Sequence, residues 1–441
     1  MSATVTVLGL GYIGLPTALL LAKSGNKVVG VDINQKIVDS LNNEIIPFEE
    51  SGLEELYIGS KKFFSASTIV GPSDVFLVAV PTPFKKTYNV SDMTYVKSAF
   101  EMIYPHLRKG NLVILESTVS PGASEKLAIP ILEKSGLKAG EFFYAHCPER
   151  AIPGKTLHEM VYNDRIIGGF NAKSASIAKD LYSSYVKGDI FTTDIKTAEF
   201  VKLIENTYRD VNIALANELA QLSESAGINV WEAIDLANKH PRVHILQPGP
   251  GVGGHCIAVD PWFLTENSSK WGIIQLTRGI NDAMPKHVLH LVRSLTREIK
   301  NPVITIFGLA YKGNVSDTRE TPALKFIKLA ENEGYTIKCH DPHVREFEYP
   351  VLEFKEALAG SDCIVMITDH DEFKNLEPSQ IVMRRKNIVD TRDIINPSLW
   401  QTAGFNVKTL GVGKPFVNLN INQKNMRQIN SGIENPKEDQ I

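Results

Sequence analysis

Apolar runs of strand length alternate along this chain with longer segments whose apolar residues recur at helical spacing, and the alternation occupies two separated stretches. In the first stretch, residues 5–8 read as a strand, followed by a glycine turn, a helix over 13–23 and a second strand over 27–31, which together make a βαβ unit. Further strand-length runs at 75–80, 112–115 and 142–145 are separated by helical segments, so a parallel sheet covered on both faces is expected. From 197 to 226 the pattern changes. No Gly or Pro interrupts a run rich in Ala, Leu, Glu and Asn, which reads as one long helix, with shorter helices over 230–238 and 285–300. The strand and helix alternation resumes at 303–307 and continues through 337–340, 364–367 and 388–389. The pattern therefore predicts an α/β protein in which two doubly wound domains, 1–195 and 301–415, are joined by a central helical region, 196–300. Residues 416–441 are rich in Asn, Gln, Lys and Glu, with few apolar residues to offset the cost of ordering them, and read as a polar tail.

Charge narrows the class of partner. Lys plus Arg number 47 against 50 Asp plus Glu, and neither sign forms a long run, so nucleic acid and acidic membrane surfaces are disfavoured against a small-molecule substrate. No apolar run is long enough to cross a bilayer. Cys147, Cys256, Cys339 and Cys363 show no C-x-x-C spacing and nothing near Met1 resembles a secretory leader, so a reducing cytoplasm is expected.

The turn after the first strand reads Gly9-Leu10-Gly11-Tyr12-Ile13-Gly14, and Asp32 closes the second strand. In a G-x-G-x-x-G between strand and helix, the first glycine permits the tight turn and the second lets the backbone approach a pyrophosphate. The third lets helix and strand pack closely, and the helix N-terminus adds partial positive charge. Asp32 would accept hydrogen bonds from a ribose and repel a 2′-phosphate, and no Arg follows in Ile33-Asn34-Gln35, so NAD is expected rather than NADP. By this motif alone a flavin dinucleotide stays open.

Three further clusters carry candidate chemistry. Residues 247–256, Gln-Pro-Gly-Pro-Gly-Val-Gly-Gly-His-Cys, must be a loop, because Gly and Pro exclude a helix or a central strand. A lone cysteine is usually a packed thiol. The glycine loop before Cys256 and the acid Asp260 four residues after it favour a positioned nucleophile, while His255 reads as base, substrate contact or spacer. On the long helix, Lys202 and Asn206 share a face with Glu199 and Arg209 near the same stripe. That stripe is either a solvated face, or an ammonium and an amide aimed at an oxyanion, with the ammonium also lowering a thiol pKa. Finally, His146-Cys147-Pro148-Glu149-Arg150 follows a strand of the first sheet, where doubly wound folds bind ligands. Glu149 is a candidate acid, base or water-orienting group and Arg150 a candidate phosphate or carboxyl ligand, a surface ion pair between them being the plain alternative.

Together these segments resemble the UDP-glucose/GDP-mannose dehydrogenase family over residues 5–412, in the family's order. The likeness rests on the glycine turn, Glu116-Ser117-Thr118-Val119, Pro148-Glu149-Arg150, Lys202-Leu203-Ile204-Glu205-Asn206, Gly253-Gly254-His255-Cys256 and Gly308-Leu309-Ala310-Tyr311-Lys312. It implies two Rossmann-like domains and NAD as cofactor, bound through Gly11, Tyr12, Ile13, Asp32, Thr82 and Thr118, with no metal. It implies that Cys256 attacks a C6 aldehyde, Lys202 and Asn206 stabilise the oxyanion, Asp260 moves a proton or orients Lys202, and Glu149 activates water. Thr118 would touch the nicotinamide or that water. Arg150, Lys202, Asn206, Arg209 and Gly253 would contact substrate, and Arg242, Lys312, Arg319 and Arg392 would face the sugar or its phosphates. The segments His240-Pro241-Arg242-Val243 and Gln247-Pro248-Gly249-Pro250-Gly251, with Gly-His-Cys-Ile at 254–257, resemble the branch acting on UDP-N-acetylhexosamines. UDP-N-acetyl-D-mannosamine is the expected substrate, with UDP-N-acetylglucosamine the alternative and UDP-glucose behind both. A homodimer or higher homo-oligomer through the central helices is also implied, as is a role in polysaccharide precursor synthesis.

Two readings from other classes compete. A 3-hydroxyacid dehydrogenase can also join a dinucleotide domain to a long helix bearing a lysine, but it leaves Cys256 and the third region unused and makes one NADH per substrate instead of two. A nucleotide-sensing protein without catalysis would bind NAD and form no NADH with any UDP-sugar.

Overall fold

The structure, a computed structural model, describes residues 3–48, 50–85, 90–152, 154–254, 256–268 and 272–413. The expected tail over 416–441 and the candidate His255 lie outside the described residues. The described chain gathers into two compact units, one formed by residues up to 212 with 252–282 and 310–321, the other by 213–251, 283–309 and the chain from 322 onward.

The first unit is built on eight strands: β1 (Thr4–Leu8), β2 (Lys27–Val31), β3 (Phe64–Ser67), β4 (Val75–Val78), then β7 (Leu112–Leu115), β8 (Phe143–His146), β9 (Arg165–Gly169) and β10 (Ile190–Asp194). A two-stranded hairpin, β5 (Phe84–Lys85) and β6 (Val90–Ser91), stands apart from that sheet. The sheet order is β10-β9-β8-β7-β4-β1-β2-β3, so the winding direction reverses between β1 and β4. Along β4, Leu77 packs with Val5, Val7 and Ile114 on one face, and Phe76 and Val78 pack with Val113 and Phe100 on the other. Burial on both faces is why these strands read as unbroken apolar runs. The expected all-parallel sheet fails at one pair, because β9 runs antiparallel to β8, with Ala145 opposite Gly169 and His146 opposite Gly168. The intervening helix Thr156–Tyr162 has only seven residues.

The long helix runs Ile195–Ala226 without a break and is followed by Val230–Ala237, both close to expectation. The next long helix does not begin at Pro285. It spans Ile273–Thr296 with Pro285 inside it. An interior proline forfeits one backbone bond and costs about 3 kcal/mol, so tertiary contacts must offset it. The buried Arg278 meets Asp210 of the long helix at 2.5 Å, and Asn281 donates to the same carboxylate at 2.8 Å. No periodicity in one segment could reveal partners that far away in sequence.

The second unit holds β11 (Val303–Phe307), β12 (Thr336–His340), β13 (Cys363–Met366), β14 (Asn387–Asp390) and β15 (Asn406–Thr409), all parallel, in the order β12-β11-β13-β14-β15. Its direction reverses at β11, which makes a second switch point at the carboxyl ends of β11 and β13. The protein is thus α/β with two doubly wound sheets and a long central helix. Among the described residues no helix is long and apolar enough to cross a membrane.

Candidate active site

The glycine turn is shaped by contacts that leave no space for side chains at two of its three positions. Gly9 has φ +90°, and a Cβ there would meet the Ala79 carbonyl oxygen at 2.6 Å; one on Gly14 would lie 1.8 Å from the Gly9 carbonyl oxygen. Gly11 is different, because nothing lies within 4 Å of its absent Cβ. The turn therefore presents open backbone at the N-terminal end of the helix Gly14–Lys23, where a pyrophosphate fits. Half-buried Asp32 accepts the Leu10 amide at 2.9 Å through Oδ2 and the Asn34 amide at 2.9 Å through Oδ1, which fixes the carboxylate while leaving it room for ribose hydroxyls. Tyr12 is exposed and packs on Phe48 with ring centroids 4.3 Å apart, and the Arg319 guanidinium lies 5.8 Å over its ring. Ile13 and Thr82 are half-buried, the latter on the loop after β4. These residues suit a dinucleotide.

Around Cys256 the chain builds a second centre within the same unit. The Asp260 amide donates to the Cys256 carbonyl at 2.8 Å, so the four-residue spacing closes a helical turn that leads into the helix Asp260–Thr265. The Asp260 side chain is buried; its Oδ2 accepts Asn206 Nδ2 at 2.6 Å and lies 3.9 Å from Lys202 Nζ. Lys202 and Asn206 are buried too, so this part of the helix is not a solvated face. Arg209, also on that helix, is exposed. Gly253 is buried, and Gly254, at φ +78°, donates its amide to the Arg319 carbonyl at 2.9 Å and rests against the Tyr311 ring, which a Cβ would approach to 3.1 Å. Lys312 is exposed on the same segment.

The electrostatics of this centre bear out the downward pull of the ammonium on the thiol and add a larger influence against it. Burial pushes the Cys256 thiol above its ordinary pKa, and the opposing pull of Lys202 does not overcome it, while Asp260 pushes the same way as burial. Desolvation outweighs a single ammonium partly neutralised by its own carboxylate. Asp260 is likewise raised, by burial first, against the pull of Lys202 and the Asn206 hydrogen bond. Burial thus works against ionisation of both groups.

Glu149 and Arg150 do not pair with each other. Glu149 Oε2 accepts Arg165 Nη2 at 2.6 Å, and its Oε1 accepts the amides of Arg150 at 2.7 Å and Ala151 at 2.9 Å. The Arg150 guanidinium turns to Glu205 on the long helix, at 2.7 Å, and to the Asp164 carbonyl. Thr118 is half-buried just beyond β7; the hydroxyl of its neighbour Ser117 donates to the Val80 carbonyl at 2.7 Å. The loop that follows is tied to the long helix by Glu199, whose fully buried carboxylate accepts the amides of Gly122 at 2.5 Å and Ser124 at 2.9 Å. Sequence reasoning saw Glu199 near the stripe but not this task, and it missed Arg165 altogether.

Arg242 and Arg392 belong to the second unit. Arg242 is exposed. Arg392 follows β14, donates through Nε to the Ile367 carbonyl at 2.9 Å, and sets its guanidinium against the glycine loop, with Nη1 2.8 Å from where a Gly249 Cβ would sit. Gly249 therefore makes room for a protein side chain.

A glycine turn shaped for a nucleotide and a cysteine centre lie within one unit, an arrangement that suits an NAD-dependent dehydrogenase. Comparison with known proteins agrees. Residues 3–186 match the NAD binding domain of the UDP-glucose/GDP-mannose dehydrogenase family, 196–283 its central domain and 305–397 its UDP binding domain. A UDP-N-acetyl-D-mannosamine dehydrogenase of Methanococcus maripaludis is 48% identical over 421 residues, 93% of this chain and 97% of that protein. The structure of UDP-D-ManNAc dehydrogenase from Pyrococcus horikoshii superposes with a TM-score of 0.88 at 41% identity, covering 93% of this chain and 100% of that one. The UDP-N-acetyl-mannosamine dehydrogenase of Staphylococcus aureus superposes with a TM-score of 0.83 at 42% identity, covering 92% and 98% respectively. The chain belongs to the UDP-glucose/GDP-mannose dehydrogenase family, the NAD-dependent UDP-sugar dehydrogenases.

Proposed function

We propose that the chain oxidises the C6 alcohol of UDP-N-acetyl-D-mannosamine to the carboxylate, giving UDP-N-acetyl-D-mannosaminuronate with two NAD reduced per sugar. The observation that carries the four-electron chemistry is Cys256 beside the buried Lys202, Asn206 and Asp260. The choice of sugar rests on the activities of the relatives at 48%, 41% and 42% identity. The glycine turn and Asp32 would hold NAD, which would supply the hydride acceptor for both oxidations at C6. Between them the Cys256 sulfur adds to the C6 aldehyde, and the resulting thiohemiacetal gives up the second hydride to become a thioester. Lys202 and Asn206 donate to the oxygen that bears developing negative charge in each tetrahedral species. Asp260 holds those two donors in place and takes or returns the hydroxyl proton. Water then cleaves the thioester, releasing the carboxylate and the free thiol. Glu149, with three protein donors on a carboxylate of about four acceptor positions, keeps one for that water.

We assign nucleotide binding by function to residues 1–195, the central helices to 196–300 and UDP binding to 301–415, with Arg242, Lys312, Arg319 and Arg392 toward the sugar and its diphosphate. All four cysteines are free thiols, as a reducing compartment requires, and we place the reaction in the cytoplasm. A panel of UDP-sugars incubated with NAD tests the assignment. UDP-N-acetyl-D-mannosamine is expected to yield two NADH per sugar and the highest kcat/KM. A higher kcat/KM for UDP-N-acetylglucosamine or UDP-glucose overturns the substrate, and one NADH per sugar overturns the covalent route.

In the second unit the exposed Leu215 and Leu222 lie seven residues apart on the long helix. Beside them is an apolar hollow of about 370 Å³ lined by Leu219, Leu222, Ala226, Ile228, Val230 and Ile234. Seven-residue spacing is how two helices mesh, and we assign this face to a second copy of the chain. Light scattering is expected to give twice the chain mass, reverting to the single chain in Leu222→Glu. A wild-type monomer sinks the dimer.

A further inference from the structure

We propose that Arg165 is a positioning residue for the reaction, one that holds the Glu149 carboxylate so that a single acceptor position stays open toward the water of the last step. This inference rests on the reading of Glu149 as the water-activating group. It begins with the strand that breaks the parallel sheet. Because β9 runs opposite to β8, its first residue lies beyond the carboxyl end of β8, and continuing the register of Ala145–Gly169 and His146–Gly168 by three residues sets Arg165 opposite Glu149. In a parallel β9 the same arginine would stand at the other edge of the sheet, away from the loop that carries Glu149.

Arg165 is itself fixed from every side. Its guanidinium carbon lies 4.8 Å from the Tyr182 ring centre and 5.7 Å from that of Tyr185, Nη1 lies 3.7 Å from the Cys147 sulfur, and Nη2 lies 3.5 Å from the Met160 carbonyl. A second buried acid faces the same cation: Glu116 Oε1 is 3.8 Å from Nη1 and accepts the Tyr182 hydroxyl at 2.6 Å, while Oε2 accepts Thr17 of the dinucleotide helix at 3.2 Å. The titratable groups around Arg165 are therefore Glu116, Glu149, Cys147, Tyr182 and Tyr185.

One cation between two buried acids divides them. Burial raises Glu116 to about 7 against the pull of Arg165. Burial also raises Glu149, but the closer guanidinium and two backbone amides outweigh it, and its carboxyl ends below the ordinary range. Near neutral pH Glu116 is therefore close to half protonated, while the Glu149 carboxyl lies below the ordinary range.

The test follows kcat and KM against pH for Arg165→Gln, Glu116→Gln and Glu149→Gln in the full chain with NAD and UDP-N-acetyl-D-mannosamine, with the thermal midpoint of each. Arg165→Gln is expected to lower kcat about tenfold or more with KM nearly unchanged, and to move the acid limb of kcat to higher pH, because Glu149 loses its cation. Glu116→Gln keeps the side chain's size, and Glu116, raised to about 7, is already protonated across the acid limb, so this variant is expected to leave the limb in place. A purely structural role changes the folded fraction, read by the thermal midpoint, and leaves the limb of the folded enzyme in place. Should Arg165→Gln not fold, Arg165→Lys decides in its place, with kcat again lowered and a smaller displacement of the limb because the charge is kept. An acid limb in its wild-type place, or a wild-type kcat, in the folded Arg165 variant overturns the positioning role when Glu149→Gln is impaired. Wild-type turnover in Glu149→Gln overturns the reading of Glu149 and this proposal with it.

Discussion

Cys256→Ser is expected to lower uronate formation by at least about a thousandfold while NAD and the UDP-sugar still bind. The hydroxyl takes the same place at the end of the glycine loop, and neither the helical turn to Asp260 nor the bond from the Gly254 amide to the Arg319 carbonyl depends on sulfur. What is lost is a nucleophile able to capture the aldehyde and later leave as a thiolate. NADH per sugar should fall from two toward one or less, read by absorbance, with binding followed separately by calorimetry. Wild-type turnover in this variant removes the thioester from the reaction.

Lys202→Ala should lower kcat by about a hundredfold to a thousandfold and change KM only a few fold, since its ammonium is worth most when charge develops on the substrate oxygen. The side chain is buried 3.9 Å from Asp260, so removing it also leaves that carboxylate with Asn206 as its remaining side-chain donor. Asp260 is then expected to hold its proton to higher pH, since Lys202 is the main influence opposing burial there. The Cys256 thiol, on which Lys202 acts in the same direction, should also ionise less readily. Rates measured at saturating NAD and sugar, with the thermal midpoint as a folding control, decide the matter. An unchanged kcat would falsify the oxyanion role.

Much of the architecture was legible because its signals are local. Strand-length apolar runs marked β1, β2, β4, β7 and β11 to within about two residues, since a strand buried on both faces has little choice of residue. Gly9 and Gly14 declared the nucleotide turn because any Cβ there collides with backbone or a neighbouring strand. The helix around Pro285 was misplaced because a rule about single residues met a tertiary contact, Arg278 with Asp210, that overrides it. The pairing of Glu149 with Arg150 was misjudged for a related reason: adjacent residues on an extended loop point to different neighbours, and each found a partner far along the chain.

The amino-acid sequence by itself determined the two doubly wound segments, the long helix, the glycine turn and the residues able to do thiol chemistry, because each depends on spacing within a few residues. Only the tertiary structure decided that Lys202, Asn206 and Asp260 are buried together, that burial outweighs a nearby ammonium at the Cys256 thiol, and that β9 turns back against β8 to set Arg165 on Glu149. Those outcomes are set by desolvation and by the register of distant strands, and both quantities exist only once the chain has closed on itself.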